Sequence, residues 1–249
     1  MDKSKLCELK AKKLRKDILE LALKYKDGHI APAFSVVEIL MALYNEILKK
    51  EDKIILSKGH ACLSLYASLM DKGLNPKITG HPDVDAKQGI FCTTGSLGHG
   101  LPIGIGMAFA RKFKKEDGHV FVIIGDGECQ EGTIWESLNL AQKYKLDNLT
   151  VIVDYNKLQA LTTIKEVMNE TNLKDKFKAF GCQVIEIDGH NFNELLDSLS
   201  TMKIKKAIPR VIIADTIKGK GLSFMENKPE WHSRIPEGKL LERAYEELK

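Results

Sequence analysis

One carboxylate and one carboxamide define the chemistry for which this chain is equipped. Asp126 stands between two glycines in Gly125-Asp126-Gly127, and Asn156 follows downstream in VDYN. Carboxylate and amide oxygens are hard donors that suit Mg²⁺, Ca²⁺ or Mn²⁺, cations that commonly complete their shells with phosphate oxygens and waters. The flanking glycines leave the backbone open to the close approach of a bulky anion. The same residues also read as an Asx turn closing a strand, with Asn156 an ordinary turn residue. Four histidines, His29, His60, His81 and His232, lie in loop-like sequence, three of them directly after a glycine. Imidazoles change charge near neutral pH and serve as general acids and bases, although a lone Gly-His is more often a satisfied surface or turn residue.

These residues need elements to hold them. His119–Ile124 (HVFVII) and Thr150–Asp154 (TVIVD) are short, apolar, β-branched runs, the pattern of strands buried on both faces. Asp126 then sits in a strand-to-helix turn ahead of a helical pattern over Glu131–Lys145. If the two strands are neighbours, Asp126 and Asn156 meet in one crevice at the strands' carboxyl ends. Further strands are expected at Lys53–Leu56, Val184–Ile187 and Arg210–Thr216, alternating with helices. That alternation predicts an α/β fold with a doubly wound, mainly parallel sheet flanked by helices.

Lys3–Lys26 carries apolar residues at helical spacing and ends at Asp27-Gly28. Ser35 with Glu38 reads as a capping box for a second helix reaching about Lys49. A helix follows Gly59-His60 to about Lys72, another spans Gly98–Lys114, and Glu237–Lys249 closes the chain. Between them, Leu74–Gly95 is irregular, a length of loop that tends to be functional. Lys218–Glu230 reads either as a flap or as a solvated loop.

At 249 residues the chain suits one α/β domain over 1–249. Its 38 basic and 34 acidic residues give a net charge of +4 and are interspersed, with no basic stripe interleaved with aromatics, so nucleic acid is not an expected partner. The short Lys203–Lys206 run reads as a solvated helix end. Five dispersed cysteines form no CxxC pair, which argues against a zinc site or a disulfide framework. Cys129, inside the Asp126 loop, reads as a bystander rather than a nucleophile, even if accessible. A charged start and the lack of a long apolar stretch argue against a signal peptide or membrane span, and a cytoplasmic location is expected.

GDGECQEG followed by VDYN is similar to the thiamine-diphosphate fingerprint. Five more segments occur in matching order: KDGHIAPAFSVVEILMALY from Lys26, LSKGHACLSLYASL from Leu56, TGHPD from Thr79, TTGSLGHGLPIGIGMA from Thr93, and DTIKGKGLSFMENKPEWH from Asp215. With them the whole chain resembles the amino-terminal, diphosphate-binding half of the transketolases.

The resemblance implies roles. Asp126, the Asn156 side chain and the Leu158 carbonyl would hold the divalent ion, Mg²⁺ by default or Ca²⁺ or Mn²⁺, on the diphosphate of thiamine diphosphate. Gly127 would meet that diphosphate through its backbone. Gly95, Ser96 and Leu97 would approach the aminopyrimidine and Ile217 the thiazolium. His60 and His232 would stand near the diphosphate and the reacting carbon, and His29 and His81 near the donor's oxygens. Glu131 would touch the catalytic glutamate across an interface. His99 stands where many relatives carry glutamine, His119 reads as structural, and His190 would either line the site or cap the next helix. Ala31-Pro32-Ala33 replaces a glycine- or serine-rich run and would reshape the donor end.

The pyrimidine-binding half has no counterpart in this sequence. The implied protein is therefore the N-terminal subunit of a two-chain transketolase. It would transfer a two-carbon ketol unit from a ketose phosphate to an aldose phosphate, paired with a C-terminal pyrimidine-binding subunit in a hetero-tetramer. Rival readings are a deoxyxylulose-phosphate-synthase-like or specialised ketolase subunit, and a non-catalytic cofactor-binding regulator.

Overall fold

The computed structural model describes residues 3–168, 172–201 and 207–249, with side chains from residue 6 onward. The basic Lys203–Lys206 run lies outside the described residues. The first helix, α1 (Lys3–Tyr25), ends as expected before Asp27-Gly28. Two short helices follow, α2 (Ile30–Phe34) and α3 (Val37–Ala42), and the second continues into a π-turn over Leu43–Ile47. Strand β1 (Lys53–Leu56) leads through a 3₁₀ turn to α4 (Cys62–Asp71). After the irregular segment come α5 (Gly100–Lys114), β2 (Val120–Gly125), α6 (Gly132–Lys143) and β3 (Leu149–Tyr155). The rest is α7 (Ile164–Met168), α8 (Leu173–Ala179), β4 (Gln183–Asp188), α9 (Phe192–Thr201), β5 (Arg210–Asp215) and α10 (Lys239–Glu247).

All five strands are parallel, in the order β1-β2-β3-β5-β4. Alternate residues feed two cores. Phe121, Ile123, Ile152 and Ile212 join α1, α3, α4 and α9, whereas Val120, Val122, Val151 and Val211 join α5, α6 and α8. The sheet is thus wound on both faces, as the apolar runs predict, because a strand buried on both sides has no polar face to show. Helix α5 lies close on β2: a Cβ on Gly104 would fall 2.4 Å from Val122. Among the described residues no helix is long and apolar enough to cross a membrane.

The capping box does not form. Ser35 is fully buried, and its hydroxyl donates to Pro32 O (3.0 Å) and Asp154 Oδ2 (2.7 Å). Glu38, also buried, takes the Arg15 guanidinium of α1 on both oxygens, at 2.7 and 2.8 Å. Both cap residues are held by partners distant in sequence, so the expected single helix is replaced by α2, α3 and the π-turn. Cys129 is buried rather than accessible, its thiol facing Gly125 O at 3.5 Å. Lys218–Glu230 is neither flap nor solvated loop, for Leu222 and Met225 lie in the core.

Candidate functional site

The loops after the five strands gather at the carboxyl edge of the sheet, where open α/β sheets bind their ligands. Parallel register sets Gly125 beside Asp154, so Asp126 leaves β2 level with the end of β3. Asp126 is 2% exposed; its Oδ1 accepts from Gly127 N at 2.8 Å and its Oδ2 from Lys157 N at 2.5 Å. Asn156, 5% exposed, accepts from Leu158 N at 3.1 Å and donates to Asp154 Oδ2 at 2.9 Å. Asp126 and the Asn156–Leu158 segment therefore form one cluster. The Asx geometry of a plain turn is present at Asn156, but burial and charge give the cluster a further character.

Behind it lies Asp154, fully buried, which accepts from Ser35, Lys58, Asn156 and Thr216. Burial works against its ionisation, yet the Lys58 ammonium and the hydroxyls outweigh it and hold the carboxyl below the usual range. Burial, then the Asp154 charge, push Asp126 up to about 7. A divalent cation would relieve both effects at once. The set around it is one carboxylate, one amide and a backbone carbonyl; among the described residues no three His, Cys, Asp or Glu side chains gather into a metal cluster. Lys218, 2% exposed, adds a cation at the same edge, its Nζ donating to Gln159 O at 2.9 Å. Its ammonium is lowered to about 8 by burial and by Lys58. The Gly127 backbone faces the Gln159 side chain, whose nearest atom would lie 3.0 Å from an added Cβ. A buried cation, a glycine backbone faced by one flexible side chain and a buried acidic pair fit a metal-bound diphosphate.

The four histidines converge. His29 lies 6.0 Å from His60, 6.3 Å from His81 and 5.6 Å from His232 between ring centroids, and His60 lies 5.4 Å from His232. Asp27 Oδ1 faces His29 Nδ1 at 2.8 Å and accepts its backbone N–H, which orients the ring. Burial alone would raise the Asp27 carboxyl; the His29 bonds outweigh it and keep the carboxyl low. Lys218 Nζ lies 2.8 Å from His232 Nδ1. A donating ammonium there leaves the proton of a neutral His232 on Nε2. Burial first, then neighbouring cations and rings, lower His60 to about 2 and His232 to about 3. Both rings are neutral at physiological pH; His60 keeps one N–H and one lone pair, whereas His232 offers only its Nε2 N–H because Lys218 takes the Nδ1 lone pair. A groove lined by Asp27, His29, Thr79, His81 and Ser233 opens beside them.

Gly95 packs on His81, and its backbone lies against Gly59. Ser96 is exposed and Leu97 half-buried on the rim. Exposed His99 folds back on them, its Nδ1 at 3.1 Å from Leu97 O. Leu158 and Ile217 are half-buried, and Glu131 is exposed ahead of α6. His119 is buried beside Thr150 Oγ1 at 2.8 Å, the structural place expected of it. His190 does not cap α9; Asn191 Oδ1 accepts the Asn193 and Glu194 amides instead. The Ala31-Pro32-Ala33 run is buried and supplies carbonyls to Gly219 N and Lys58 Nζ.

Sequence reasoning missed Lys58, Lys218, Asp154 and Glu128. Glu128 is 2% exposed and ties three loops together, accepting from Ser57 Oγ, from Gly98 N at 2.8 Å and from Gly125 N at 3.0 Å. The one signal that could have found them is position: each lies in a glycine-containing or strand-end segment close to a motif residue.

Residues 8–235 match the family model described as transketolase, thiamine diphosphate binding domain. The chain is 36% identical over 262 residues to one subunit of the apulose-4-phosphate transketolase of Phocaeicola vulgatus, covering 97% of this chain and 93% of that one. It is 38% identical over 264 residues to the protein of the same name in Actinobacillus succinogenes, covering 97% and 95%. Among solved structures, transketolase from Campylobacter jejuni superposes with a TM-score of 0.87 at 28% identity, covering all of this chain but 43% of that one.

Proposed function

Because this chain belongs to the transketolase family, through its thiamine-diphosphate-binding domain, we propose that it is the N-terminal subunit of a two-chain transketolase. In this reading residues 1–249 form one diphosphate-binding domain. A second chain brings the pyrimidine-binding half, and two copies of each assemble. Two relatives that align over nearly their whole length are named as single subunits of a transketolase. The observation that carries the reading is the meeting of four histidines beside the Asp126–Asn156 cluster on one sheet edge.

In this proposal Asp126, Asn156 and the Leu158 carbonyl hold Mg²⁺, or Ca²⁺ or Mn²⁺ in its place, while the Gly127 backbone and Lys218 ammonium border the diphosphate. Gly95, Ser96, Leu97 and Ile217 border the rings. Bound there, thiamine diphosphate supplies the electron sink for breaking a carbon–carbon bond next to a ketose carbonyl. The chain's own residues manage protons. Neutral His232, with its proton directed to Nε2 by Lys218, donates to an oxygen that gains negative charge. His60, also neutral, serves beside it. When neutral and donating to Asp27 from Nδ1, His29 offers Nε2 as the acceptor for a donor hydroxyl, with His81 on its other side. Glu131, exposed at the rim, is free to meet a partner's carboxyl.

The donor and acceptor are sugar phosphates in a cytoplasmic, pentose-phosphate-type exchange. A specialised ketose donor is the second reading, favoured by relatives whose names specify apulose 4-phosphate and 6-deoxy-6-sulfofructose. The test is affinity isolation of this chain at native expression level, mass spectrometry of what accompanies it, and a ketol-transfer assay on the assembly with both donor classes. A companion chain carrying a pyrimidine-binding domain, with cofactor-dependent transfer, is the expected result. An active chain on its own, or an assembly that binds cofactor without transfer, overturns it.

A further inference from the structure

His190 matches none of the roles just assigned, yet both of its ring nitrogens are engaged. Ile217 N lies 2.8 Å from Nε2 and can only donate, so Nε2 carries no proton. The ring proton is therefore on Nδ1, which lies 3.0 Å from Glu38 Oε2. Glu38 in turn takes the Arg15 fork, and Arg15 also donates to Phe34 O at 3.2 Å. Burial disfavours the Glu38 charge, but Arg15 and His190 outweigh it and lower the carboxyl to about 2. The chain of contacts runs from α1 through α3 and the turn after β4 to the end of β5.

That end is the tripeptide Thr216-Ile217-Lys218. Thr216 donates to Asp154, behind the metal cluster, and Lys218 reaches His232 and Gln159 O. Ile217 is the middle residue, and its backbone N–H is held by a side chain from the turn after β4. The turn that carries His190 is fastened to the same place. Gly189 N donates to Asp215 O at 2.8 Å, and a Cβ on Gly189 would fall 2.5 Å from Thr216 Cγ2. Asp188 Oδ1 accepts the His190 amide at 2.8 Å, which fixes the ring's approach. The sequence Asp188-Gly189-His190 thus forms a clamp on the end of β5.

We propose that His190 is a positioning residue for the cofactor site: through the Ile217 amide it sets where Ile217 and Lys218 stand along the cleft. The inference rests on the cofactor reading given above. Its geometry makes a specific demand, that position 190 accept a hydrogen bond at the place of Nε2. Glutamine presents an oxygen near that place. Asparagine reaches only as far as Nδ1, so it keeps the Glu38 contact and loses Ile217.

The experiment compares H190N and H190Q in the full chain, isolated with the chain that accompanies it. Amide hydrogen exchange is followed in the peptide spanning 212–222, and thiamine diphosphate affinity is titrated in saturating Mg²⁺. H190N should speed exchange in that peptide and weaken cofactor binding by about three- to tenfold, the range of one lost hydrogen bond. H190Q should restore both to within about twofold of the parent, within the same hydrogen-bond scale. If H190N leaves exchange and affinity as in the parent, the positioning role is wrong. If H190Q and H190N lose thermal stability and affinity alike, with exchange raised throughout the chain, His190 is merely structural and the proposal falls. Lack of cofactor binding by the parent assembly would instead overturn the cofactor reading on which it rests.

Discussion

Asp126 gains its value to a cation from the water it has lost. It is 2% exposed and faces a second buried carboxylate, so its charge is costly until a metal neutralises it. Asp126→Asn keeps the size and an oxygen for the Gly127 N–H but removes the charge. Cofactor affinity in saturating Mg²⁺ should fall by more than the roughly 10- to 100-fold that outer partners of metal sites carry. A cofactor titration giving unchanged affinity would remove Asp126 from the ligand set. His29 separates binding from chemistry. It is oriented by Asp27 and lies among the other rings rather than in the Asp126 cluster. His29→Ala should bind cofactor within about twofold of the parent yet cleave donor roughly 100- to 10,000-fold more slowly, the scale of a lost general acid–base group. Loss of cofactor binding in step with activity would contradict that assignment. Asp126, Asn156, His29, His60 and His81 were legible because each stands in a loop motif next to glycine or a strand end, and His232 through the segment it shares with the family. Lys58 and Lys218 were not, since a lysine in a sequence reads as solvated. Only the meeting of β1 and β5 loops at one edge shows that both are buried beside acidic partners.

At the scale of elements, apolar runs placed all five strands to within a residue or two; β2, β3 and β5 are covered on both faces and so are apolar almost throughout, while the edge strand β4 carries exposed Glu186. The α2–α3 region was misread for the opposite reason. Ser35 and Glu38 have the spacing of a cap, yet their polar groups serve Asp154, Arg15 and His190, contacts that no local pattern encodes. Such distant pairing has a consequence in acid. The Glu38 carboxyl is lowered from an ordinary 4.5 to about 2, so the folded state favours its ionised form. A lowered carboxyl stabilises fully above the unfolded value and loses that contribution as pH falls from about 4.5 toward 2, giving roughly 3 kcal/mol by linkage. Glu38→Gln should lower stability at pH 7, because Arg15 is left buried without its counter-charge, and should flatten the acid limb of the stability profile. Urea unfolding of parent and variant from pH 7 down to 3 measures both; a constant difference between them over that range would show that the ion pair contributes nothing to the acid limb.

For the whole molecule, everything assigned to the cofactor lies on one edge of the sheet, and the rim residues Ser96, His81 and Glu131 remain exposed. In the two-chain proposal this chain presents the diphosphate side of the cofactor site and the partner completes it. Binding to the folded state alone stabilises by about 2.7 kcal/mol at a ligand concentration of 100 times Kd. Each kcal/mol moves the melting temperature of a chain this size by about 2–4 °C. Thiamine diphosphate with Mg²⁺ should therefore raise the melting temperature of the assembled enzyme by roughly 5–10 °C at that concentration, and EDTA should reverse the shift. The isolated chain, at the same cofactor concentration, should show a much smaller rise, because the ring contacts proposed for the partner chain are missing from it. Differential scanning fluorimetry on both samples decides the matter. Equal shifts would mean that this chain binds the cofactor completely, and the two-chain site would be wrong. A shift insensitive to EDTA would retain the diphosphate cradle but remove the metal from it.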